Sequence, residues 1–454
     1  MRLPLEHHLH GTVRSALAWS HGIFPQRYHG ELRAFEALDP AAKRRRSLEL
    51  LRRTLTHAYD CVAYYQRCFD EAGFHPRDLG GFEDLAAVPM LGKQDVIRET
   101  EALVATGREA RGADWDATGG STGEPMRFLR SRPATSVGLA NEARTWRWYG
   151  VHPGARQAYL WGADRDVPPD RAADSWRARL LGICQLNAFY QDEERCAAFA
   201  RILDRFQPEI VYGYASALAR FAAYLRDTPR SPRIRPRAVR ATAEVLRADD
   251  RALVEEVFGA PVYDYYGSRE TGPIAGESAA HAGLHVFSDV THVEIVRGDG
   301  TPCQPGEVGE LVVTPLRERA MPLVRYRIGD RAAFLPDEPD DGLGLPRIGS
   351  LQGRIGDFVR SPGGREIHGE YFTHLFYGVS GVQRFQVQQT SPARLRILVQ
   401  SDGRVAPAQL ERIRAASAER FQATEPGAVT IELVDEIHPG PSGKHRFVLP
   451  YQDG

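Results

Sequence analysis

Three short runs decide the fold class of this sequence: Val211-Tyr212-Gly213-Tyr214, Ala238-Val239-Arg240-Ala241 and Pro261-Val262-Tyr263-Asp264-Tyr265. Each run is largely apolar and short, which predicts a buried β-strand. Stretches with helical spacing lie around them, such as Cys196–Phe206 and Asp249–Phe258. Alternation of strands and helices predicts an α/β domain with a largely parallel sheet.

The chain changes style on either side of this region. Apolar residues within 1–80 recur at roughly helical spacing. Near Asp289 short strands punctuated by turns begin, and they predict a β-rich subdomain built as a meander or a small barrel. After Gly353 a shorter α+β pattern runs to the end. We therefore expect a large N-terminal domain over residues 1–352 and a small α+β C-terminal domain over residues 353–454.

Composition excludes several classes of function. The 454 residues are 42% hydrophobic and 26% charged, with a formal net charge of −1, so no global field gathers nucleic acid or anionic lipid. The sequence contains neither a run of about eighteen apolar residues nor the apolar core of a signal peptide. Five scattered cysteines argue against a disulfide framework. We expect a cytoplasmic protein that binds neither nucleic acid nor membranes.

Lysine is scarce in this chain. It occurs only at Lys43, Lys93 and Lys444, so that 55 of the 58 basic residues are arginine. Coding bias explains the ratio, but a lysine inside a motif is then less easily attributed to chance. Lys444 lies in the run Pro441-Ser442-Gly443-Lys444 near the C-terminus. A lysine on such a loop could stabilise negative charge that develops on a phosphate; the alternative is a solvated tail residue.

The first chemical motif is Thr118-Gly119-Gly120-Ser121-Thr122-Gly123-Glu124-Pro125. Its glycines permit tight turns, and its hydroxyl and amide groups could surround phosphate oxygens. It formally matches the GxSxG pattern of a nucleophile elbow, but Pro125 opposes immediate entry into a helix. Taken alone, the motif fits a surface turn equally well.

Two further motifs adjoin predicted strands. Asp264-Tyr265-Tyr266-Gly267-Ser268-Arg269-Glu270-Thr271-Gly272 would lie at the C-terminal end of a strand, where open α/β sheets bind ligands. A tyrosine there could stack on a base, and the carboxylate could hold Mg²⁺. In Tyr326-Arg327-Ile328-Gly329-Asp330, an aspartate after a strand could accept hydrogen bonds from ribose hydroxyls. Each motif alone also fits an exposed turn.

The order of these motifs resembles the adenylate-forming superfamily of acyl-CoA ligases, adenylation domains and luciferases. Two N-terminal stretches, His57–Tyr65 and Val88–Lys93, and the later run Gly353-Arg354-Ile355-Gly356-Asp357 extend the resemblance over nearly the whole chain. They are most similar to the phenylacetate–CoA ligase-like branch. The resemblance implies activation of a small, aryl carboxylic acid by ATP and Mg²⁺ to an acyl-adenylate. Transfer of the acyl group to CoA would follow.

The resemblance also implies roles for individual residues. Glu270 would bind Mg²⁺, Tyr266 would pack on adenine, and Asp330 would bind the ribose with Arg354 nearby. The remaining nucleotide contacts would come from Thr118, Gly119, Gly120, Ser121, Thr122, Gly123, Gly267 and Ser268.

The acid and the catalytic lysine complete this implied site. Lys444 would bridge the acyl carboxylate and the α-phosphate, which makes it a catalytic residue together with Glu270. The acyl pocket would be built by Tyr212, Gly213, Tyr214 and Arg269. The C-terminal domain would reorient between the two steps around a pivot near Gly356–Asp357.

Three residues depart from the family pattern and keep rival hypotheses open. Glu124 stands where many relatives carry lysine, Arg269 replaces a small residue before the glutamate, and Gly356 occupies the usual acidic hinge position. Arg269 could crowd the metal or direct a guanidinium toward an anion. One rival is an adenylating enzyme with an amine, a carrier-protein thiol or another small nucleophile as acceptor, and the second is a catalytically silent nucleotide-binding protein. The identity of the acid and the oligomeric state, a homodimer included, stay open.

Overall fold

The structure of the chain is a computed structural model. It describes residues 5–118, 126–161, 176–187, 193–228, 234–336, 341–349, 351, 358–364, 366–376, 379–437 and 447–451. These residues form two compact units. The first contains the described residues up to Leu351 except 329–331, and the second contains 329–331 and the described residues from Phe358 onward. The predicted domain boundary at 352/353 falls outside the described residues and stays a prediction.

The helices of the described residues begin with four in the N-terminal region, which confirms the helical prediction for residues 1–80. They are Leu5–Ser20 (α1), Gln26–Glu36 (α2), Pro40–Cys61 (α3), Ala63–Glu71 (α4), Lys93–Arg98 (α5), Arg132–Trp148 (α6), Trp176–Leu181 (α7), Glu193–Phe206 (α8), Ala215–Asp227 (α9), Ala248–Phe258 (α10), Gly369–Phe376 (α11) and Pro407–Phe421 (α12), with short 3₁₀ helices at Pro76–Asp78 and Phe82–Ala87. Among the helices so described, none has both the length and the apolar character that crossing a membrane requires.

The strands of the described residues belong to five sheets. They are Asp114–Ala117 (β1), Arg127–Arg130 (β2), Gln157–Trp161 (β3), Ile183–Asn187 (β4), Ile210–Tyr214 (β5), Ala238–Thr242 (β6), Val262–Ser268 (β7), Gly272–Glu277 (β8), Leu284–Val286 (β9), Thr291–Val296 (β10), Gly309–Pro315 (β11), Tyr326–Ala332 (β12), Arg347–Ile348 (β13), Phe358–Arg360 (β14), Glu366–His368 (β15), Val382–Ser391 (β16), Arg394–Ser401 (β17), Val429–Val434 (β18) and Val448–Leu449 (β19).

The largest sheet has eight strands in the order β13-β9-β8-β7-β6-β5-β3-β4. Strands β7, β6, β5, β3 and β4 are parallel, and β8, β9 and β13 continue the sheet with antiparallel pairing. All residues of β5 and β6 are buried, as expected for strands covered on both faces. One hydrophobic cluster joins these strands to α8, α9 and α10, and a second joins them to α6. The predicted α/β class with a largely parallel sheet is therefore confirmed.

One predicted boundary was wrong. The strand expected to end at Tyr265 continues to Ser268 as β7 and turns directly back into β8. Tyr266, Gly267 and Ser268 therefore lie on the strand instead of after it, and only Arg269–Thr271 form the turn. The pairing of β7 with β8 overrides the turn signals that Gly267 and Ser268 carry, since an antiparallel neighbour supplies hydrogen bonds for the extra residues.

The predicted β-rich subdomain is the sheet β10-β11-β12, whose strands are neighbours in chain order. This order is that of a meander, one of the two forms expected. Alternate residues of β10 and β11 pack into a hydrophobic core that also takes in α3 and α4. That core buries the apolar faces of α3 and α4.

In the second unit, β16 and β17 form an antiparallel pair that β18 and β19 extend by parallel pairing. The helix α12 packs on this four-stranded sheet, with Ile413 and Phe421 buried in its core. The α+β pattern predicted for the C-terminal region is confirmed by these elements.

Helix α6 is fixed to the first unit by a buried ion pair. Arg144 Nη1 and Nη2 donate to Asp289 Oδ1 and Oδ2 at 3.0 and 2.5 Å. The two side chains are 0% and 1% exposed. Loss of Asp289 would leave the buried Arg144 guanidinium with only the longer contact of its Nε to Glu36 Oε1, at 3.8 Å, which is far more costly than loss of a surface pair.

We predict that Asp289→Asn destabilises the first unit by about 3–5 kcal/mol, because it leaves the Arg144 guanidinium charged and buried. Urea unfolding followed by tryptophan fluorescence measures this, since all six tryptophans precede residue 177. The control is Glu49→Gln, which removes the carboxylate of a surface pair with Arg53 and should cost less than about 1 kcal/mol. Equal effects of the two substitutions would contradict the prediction.

Candidate functional site

The glycine-rich loop is held at its base by a β-hairpin. Strands β1 and β2 pair antiparallel up to Ala117 and Arg127. Beyond them, the Thr118 N–H donates to Met126 O at 2.9 Å, and the Met126 N–H donates to Thr118 Oγ1 at 3.1 Å. Met126 is fully buried in the core. Both ends of the loop are thus fixed, while the predicted phosphate-binding residues 119–123 lie outside the described residues.

A second tight turn carries Glu270. Ser268 Oγ and Thr271 Oγ1 lie 2.8 Å apart, and the Thr271 N–H donates to Ser268 Oγ at 3.1 Å. The predicted nucleotide contact Ser268 is therefore engaged in closing the β7–β8 turn. At Gly267 an added Cβ would lie 2.8 Å from Gly272 O, so that only glycine permits this close approach of the strands.

Arg269 turns toward the loop base. Its Nη1 lies 3.3 and 3.4 Å from the two carboxylate oxygens of Asp116, and both side chains are 32% exposed. Asp116 is opposite Phe128 in the β1–β2 register, and Arg130 is two residues further along β2. Because opposed residues and alternate residues share a face of a hairpin, Asp116 and Arg130 project from the same face.

Arg130 is the electrostatic centre of this arrangement. Burial lowers the pKa of its guanidinium, and the carboxylates of Glu318, Asp116 and Glu270 act against that shift. The like charge of Arg269 lowers the pKa further. The hairpin β1–β2 and the β7–β8 turn therefore bring five charged groups together in the first unit. We call this set, Asp116, Arg130, Arg269, Glu270 and Glu318, the charged cluster.

Glu318 is the structural member of the charged cluster. Its carboxylate accepts from the N–H groups of Ser131 (3.2 and 3.0 Å), Arg319 (2.9 Å) and Ala320 (2.7 Å). Burial raises the pKa of Glu318, and the N–H groups of Ser131 and Ala320 oppose that rise. Backbone donors hold its oxygens, and this fixes the junction where β2 leads into α6.

A buried arginine surrounded by aromatic rings lies on the face of the sheet covered by α6. The guanidinium carbon of Arg240 is 3.8 Å from the centre of the Trp146 ring, 4.1 Å from Tyr212 and 4.3 Å from Tyr265. Its Nη2 donates to Glu142 Oε1 at 2.7 Å. Burial raises the pKa of Tyr212, and the charge of Arg240 opposes the rise. This side of the predicted acyl pocket is therefore packed and polar.

The three predicted acyl-pocket residues of β5 have different surroundings. An added Cβ at Gly213 would lie 2.7 Å from Leu160 O, so this glycine permits the close approach of β3. The Trp161 ring, at the end of β3, lies 5.2 Å from the Tyr212 ring and 5.1 Å from the Tyr214 ring. Tyr212 belongs to the cluster with α6, and Tyr214 to the cluster with α8 and α9. The Trp161 ring therefore contacts a residue of each cluster.

The other predicted site residues are placed as follows. Tyr266 is buried in the hydrophobic core that contains Met126, so its role toward adenine stays a prediction. Asp330 is buried within β12, where a position after a strand was expected. Arg354 and Lys444 lie outside the described residues.

Sequence reasoning missed Asp116, Arg130 and Glu318 as members of the site. A signal existed for Arg130, because it stands two residues after the buried Phe128 on a strand and so falls on the buried face. A charge on such a face usually has a partner or a function. Asp116 and Glu318 carry no comparable pattern, and only the fold brings them to Arg130.

The charged cluster suits a magnesium–polyphosphate group. In the part of the chain that the structure describes, no group of three or more His, Cys, Asp or Glu side chains is arranged to hold a metal ion. Mg²⁺ is commonly bound by one or two carboxylates and completed by phosphate oxygens and waters. Glu270 supplies a carboxylate of that kind, and the guanidinium groups of Arg130 and Arg269 supply phosphate donors.

A partly buried carboxyl group, that of Asp264, lies on β7. The Asp264 N–H donates to Glu277 Oε2 at 2.8 Å, and Arg251 Nη2 donates to the same carboxylate at 3.1 and 2.9 Å. Burial raises the pKa of the Asp264 carboxyl to about 7, the charge of Glu277 adds to the rise, and Arg251 opposes it. His281 also approaches Glu277, at 3.4 Å. Asp264 thus takes up a proton near neutral pH.

The chain is similar to one protein-family model and to several known proteins. Residues 359–450 match the model of the CapK C-terminal domain. The phenylacetate-coenzyme A ligase of Thermus thermophilus is 29% identical over 323 residues, which are 68% of this chain and 70% of that protein. The phenylacetate-coenzyme A ligase of Pseudomonas putida is 29% identical over 347 residues, covering 73% and 76% of the two chains.

A solved structure shares the fold over nearly the whole length. The crystal structure of 2-hydroxyisobutyryl-CoA ligase in the postadenylation state superposes with a TM-score of 0.70 at 22% identity. The match covers 92% of this chain and 91% of that one.

We predict that Asp264→Asn raises the stability of the first unit more at pH 8 than at pH 5, by roughly 2–3 kcal/mol. The native carboxyl keeps its proton to about pH 7, whereas the unfolded one loses it near pH 4. The native state therefore binds more protons in that window, and wild-type stability falls as the pH rises through it.

Urea unfolding of wild type and variant at the two pH values measures this effect. Asp60→Asn, at an exposed position of α3, is the matched control and should show no pH-dependent gain. A gain for Asp264→Asn of equal size at pH 5 and pH 8 would contradict the prediction.

Proposed function

Since the chain belongs to the adenylate-forming superfamily, in its phenylacetate–CoA ligase-like branch, and is a ligase, we propose that it activates a small carboxylic acid with Mg·ATP. The product is an acyl-adenylate, and the acyl group then passes to the thiol of CoA. One observation carries the proposal: the hairpin that holds the glycine-rich loop meets the turn of Glu270 in a single charged cluster. A surface turn and an isolated acid, the alternatives for these motifs taken alone, do not require that meeting.

The first step requires positioning and charge stabilisation. An oxygen of the acid's carboxylate attacks the α-phosphorus of ATP, and the bond to the β-phosphate breaks, so that pyrophosphate leaves with the electron pair. Glu270 would hold Mg²⁺, which would supply positive charge to the phosphates. The loop 118–123 binds the β- and γ-phosphates, Tyr266 packs on adenine, and Asp330 binds the ribose with Arg354. No covalent bond to the protein forms, and the rate gain comes from orientation and electrostatics.

Substrate selection belongs to the ends of β3 and β5 in this proposal. Tyr212, Gly213 and Tyr214 line the acyl pocket, and Trp161 adds a ring beside both tyrosines. Aromatic side chains at these positions favour an aryl acid by stacking and by apolar contact. The dense packing around Arg240 leaves a small acid as the better fit than a long one.

The C-terminal domain takes part in both steps of this proposal. Lys444 bridges the acyl carboxylate and the α-phosphate during adenylation, and the domain then turns near Gly356–Asp357 so that the CoA thiolate can attack the acyl carbonyl. The new thioester bond forms as the bond to AMP breaks.

A different acceptor is the second candidate, and a specific observation favours keeping it. Residues 359–450 match the model of the CapK C-terminal domain. That region supplies the acceptor step in the proposal. An amine, a carrier-protein thiol or another small nucleophile would use the same adenylate.

We expect acid-dependent release of pyrophosphate from ATP when aryl and aliphatic acids are tested, each with and without CoA and with Mg²⁺ or a chelator. A coupled assay measures the release, and mass spectrometry identifies the acyl product. Release that gives a thioester only with CoA supports the ligase, whereas release without thioester supports another acceptor. A chain that binds ATP but releases no pyrophosphate with any acid would favour a silent nucleotide-binding protein.

We predict that Lys444→Ala slows acyl-adenylate formation by about 10²–10³-fold, because removal of one charged donor at a developing charge has an effect of that size. ATP affinity, measured by calorimetry, should stay within about twofold. Lys93→Ala removes another of the three lysines and serves as the control with near wild-type rates. Unchanged adenylation in the Lys444 variant would remove this residue from the first step.

A further inference from the structure

We propose that Arg130 and Arg269 form the cationic wall that binds the pyrophosphate end of the nucleotide, and that Asp116 holds Arg269 until the polyphosphate displaces it. The inference rests on the proposed function, since it names two binding residues of the same site. It goes beyond the resemblance, which assigns no role to Arg130 or Asp116. It also decides between two roles for Arg269, crowding the metal or facing an anion, in favour of the anion.

The sequence of the loop creates the need for such a wall. The run 118–125 contains Glu124 but no lysine or arginine, so the loop supplies a negative charge and no cationic side chain. A polyphosphate carries several negative charges and needs donors that match its oxygens. The cation must therefore come from outside the loop.

Arg130 satisfies that need by its position. It ends β2, four residues after Met126 closes the base of the loop, and it shares a face of the hairpin with Asp116. It is partly buried, and the charges of Glu318, Asp116 and Glu270 act on it. A guanidinium in such surroundings binds an anion more strongly than one in water, because its charge is less screened.

The carboxylates near Arg130 leave its guanidinium able to bind phosphate when the nucleotide is bound. Glu318 already accepts from the backbone N–H groups of Ser131, Arg319 and Ala320. Glu270 turns to Mg²⁺ under the proposed function. Its attraction for Arg130 is then offset by the metal, and the guanidinium becomes a donor for the phosphate oxygens that the metal also binds.

Arg269 reaches the same place from the β7–β8 turn. Its distances of 3.3 and 3.4 Å to the Asp116 oxygens are at the long end of hydrogen-bond geometry. Both side chains are partly exposed, so the pair is weak and can be exchanged for a stronger one. A phosphate offers the guanidinium a bidentate partner of higher charge. Asp116 therefore competes with the anion for Arg269.

This competition gives a signature that a structural role would not produce. Removal of either arginine should weaken the binding of a polyphosphate, and removal of the Asp116 charge should strengthen it. A residue needed only for folding would weaken binding in every variant.

The probe is inorganic pyrophosphate, titrated in the presence of Mg²⁺ into the full chain by calorimetry. We expect about 10–100-fold weaker binding for Arg130→Met and for Arg269→Met, the loss of one charge-assisted donor pair. Arg130→Lys, which keeps the charge without the fork, should fall between wild type and Arg130→Met. Asp116→Asn should bind pyrophosphate several-fold more tightly, by about 3–10-fold. Arg127→Met is the matched control, because Arg127 is on the same strand but on its other face, over the Trp115 ring.

Circular dichroism and urea unfolding establish that each variant is folded. Wild-type affinity for pyrophosphate in folded Arg130→Met and Arg269→Met overturns the inference, and weaker binding by Asp116→Asn overturns the role of Asp116. If this happens while the wild-type chain still releases pyrophosphate with an acid, the proposed function stands without the arginine wall. If the wild-type chain binds pyrophosphate through these arginines but never adenylates an acid, the anion site stands and the proposed function fails.

Discussion

The attachment of helix α6 to the sheet is the constraint on which the site depends. Two buried guanidinium groups make it: Arg144 pairs with Asp289, and Arg240 pairs with Glu142 inside a box of aromatic rings. Buried ion pairs contribute less to stability than to a single arrangement, since a shifted helix would leave charges without partners. Because α6 follows β2 directly, this arrangement also sets where Arg130 lies.

The charged cluster is close to neutral without a ligand, and this has a consequence for binding. Glu318 is satisfied by backbone N–H groups, so the side chains that remain are two carboxylates, Asp116 and Glu270, and two guanidinium groups, Arg130 and Arg269. A bare polyphosphate would meet as much repulsion as attraction there. A magnesium complex would bring its own positive charge to Glu270 and leave the guanidinium groups to the phosphates. The arrangement therefore favours metal and polyphosphate together over either alone.

The two halves of the proposed site differ in what holds them. The nucleotide half is built from a hairpin and a tight turn, whose side chains are partly exposed and weakly paired. The acyl half is built on strands β3 and β5, where Tyr212 packs with Trp146 of α6 against the buried guanidinium of Arg240 on β6. Weak pairs can exchange partners as the nucleotide binds and leaves, whereas a packed pocket selects by shape. Such a division suits an enzyme that turns over one common nucleotide and one particular acid.

The sequence by itself determined the class of fold, the order of the motifs and most of the predicted helices and strands. Helical and strand periodicity are local properties, which is why these could be predicted. It also singled out Glu270 as a candidate metal ligand and Arg269 as a departure from the family pattern. It placed the end of β7 too early, since the pairing with β8 is decided by a different segment. Only the tertiary structure decided that Asp116 and Arg130 of the β1–β2 hairpin meet Glu318, because Glu318 comes from a distant segment and no periodicity encodes such a meeting. Which charged side chains become partners depends on how distant segments pack, and that packing is set by the tertiary structure.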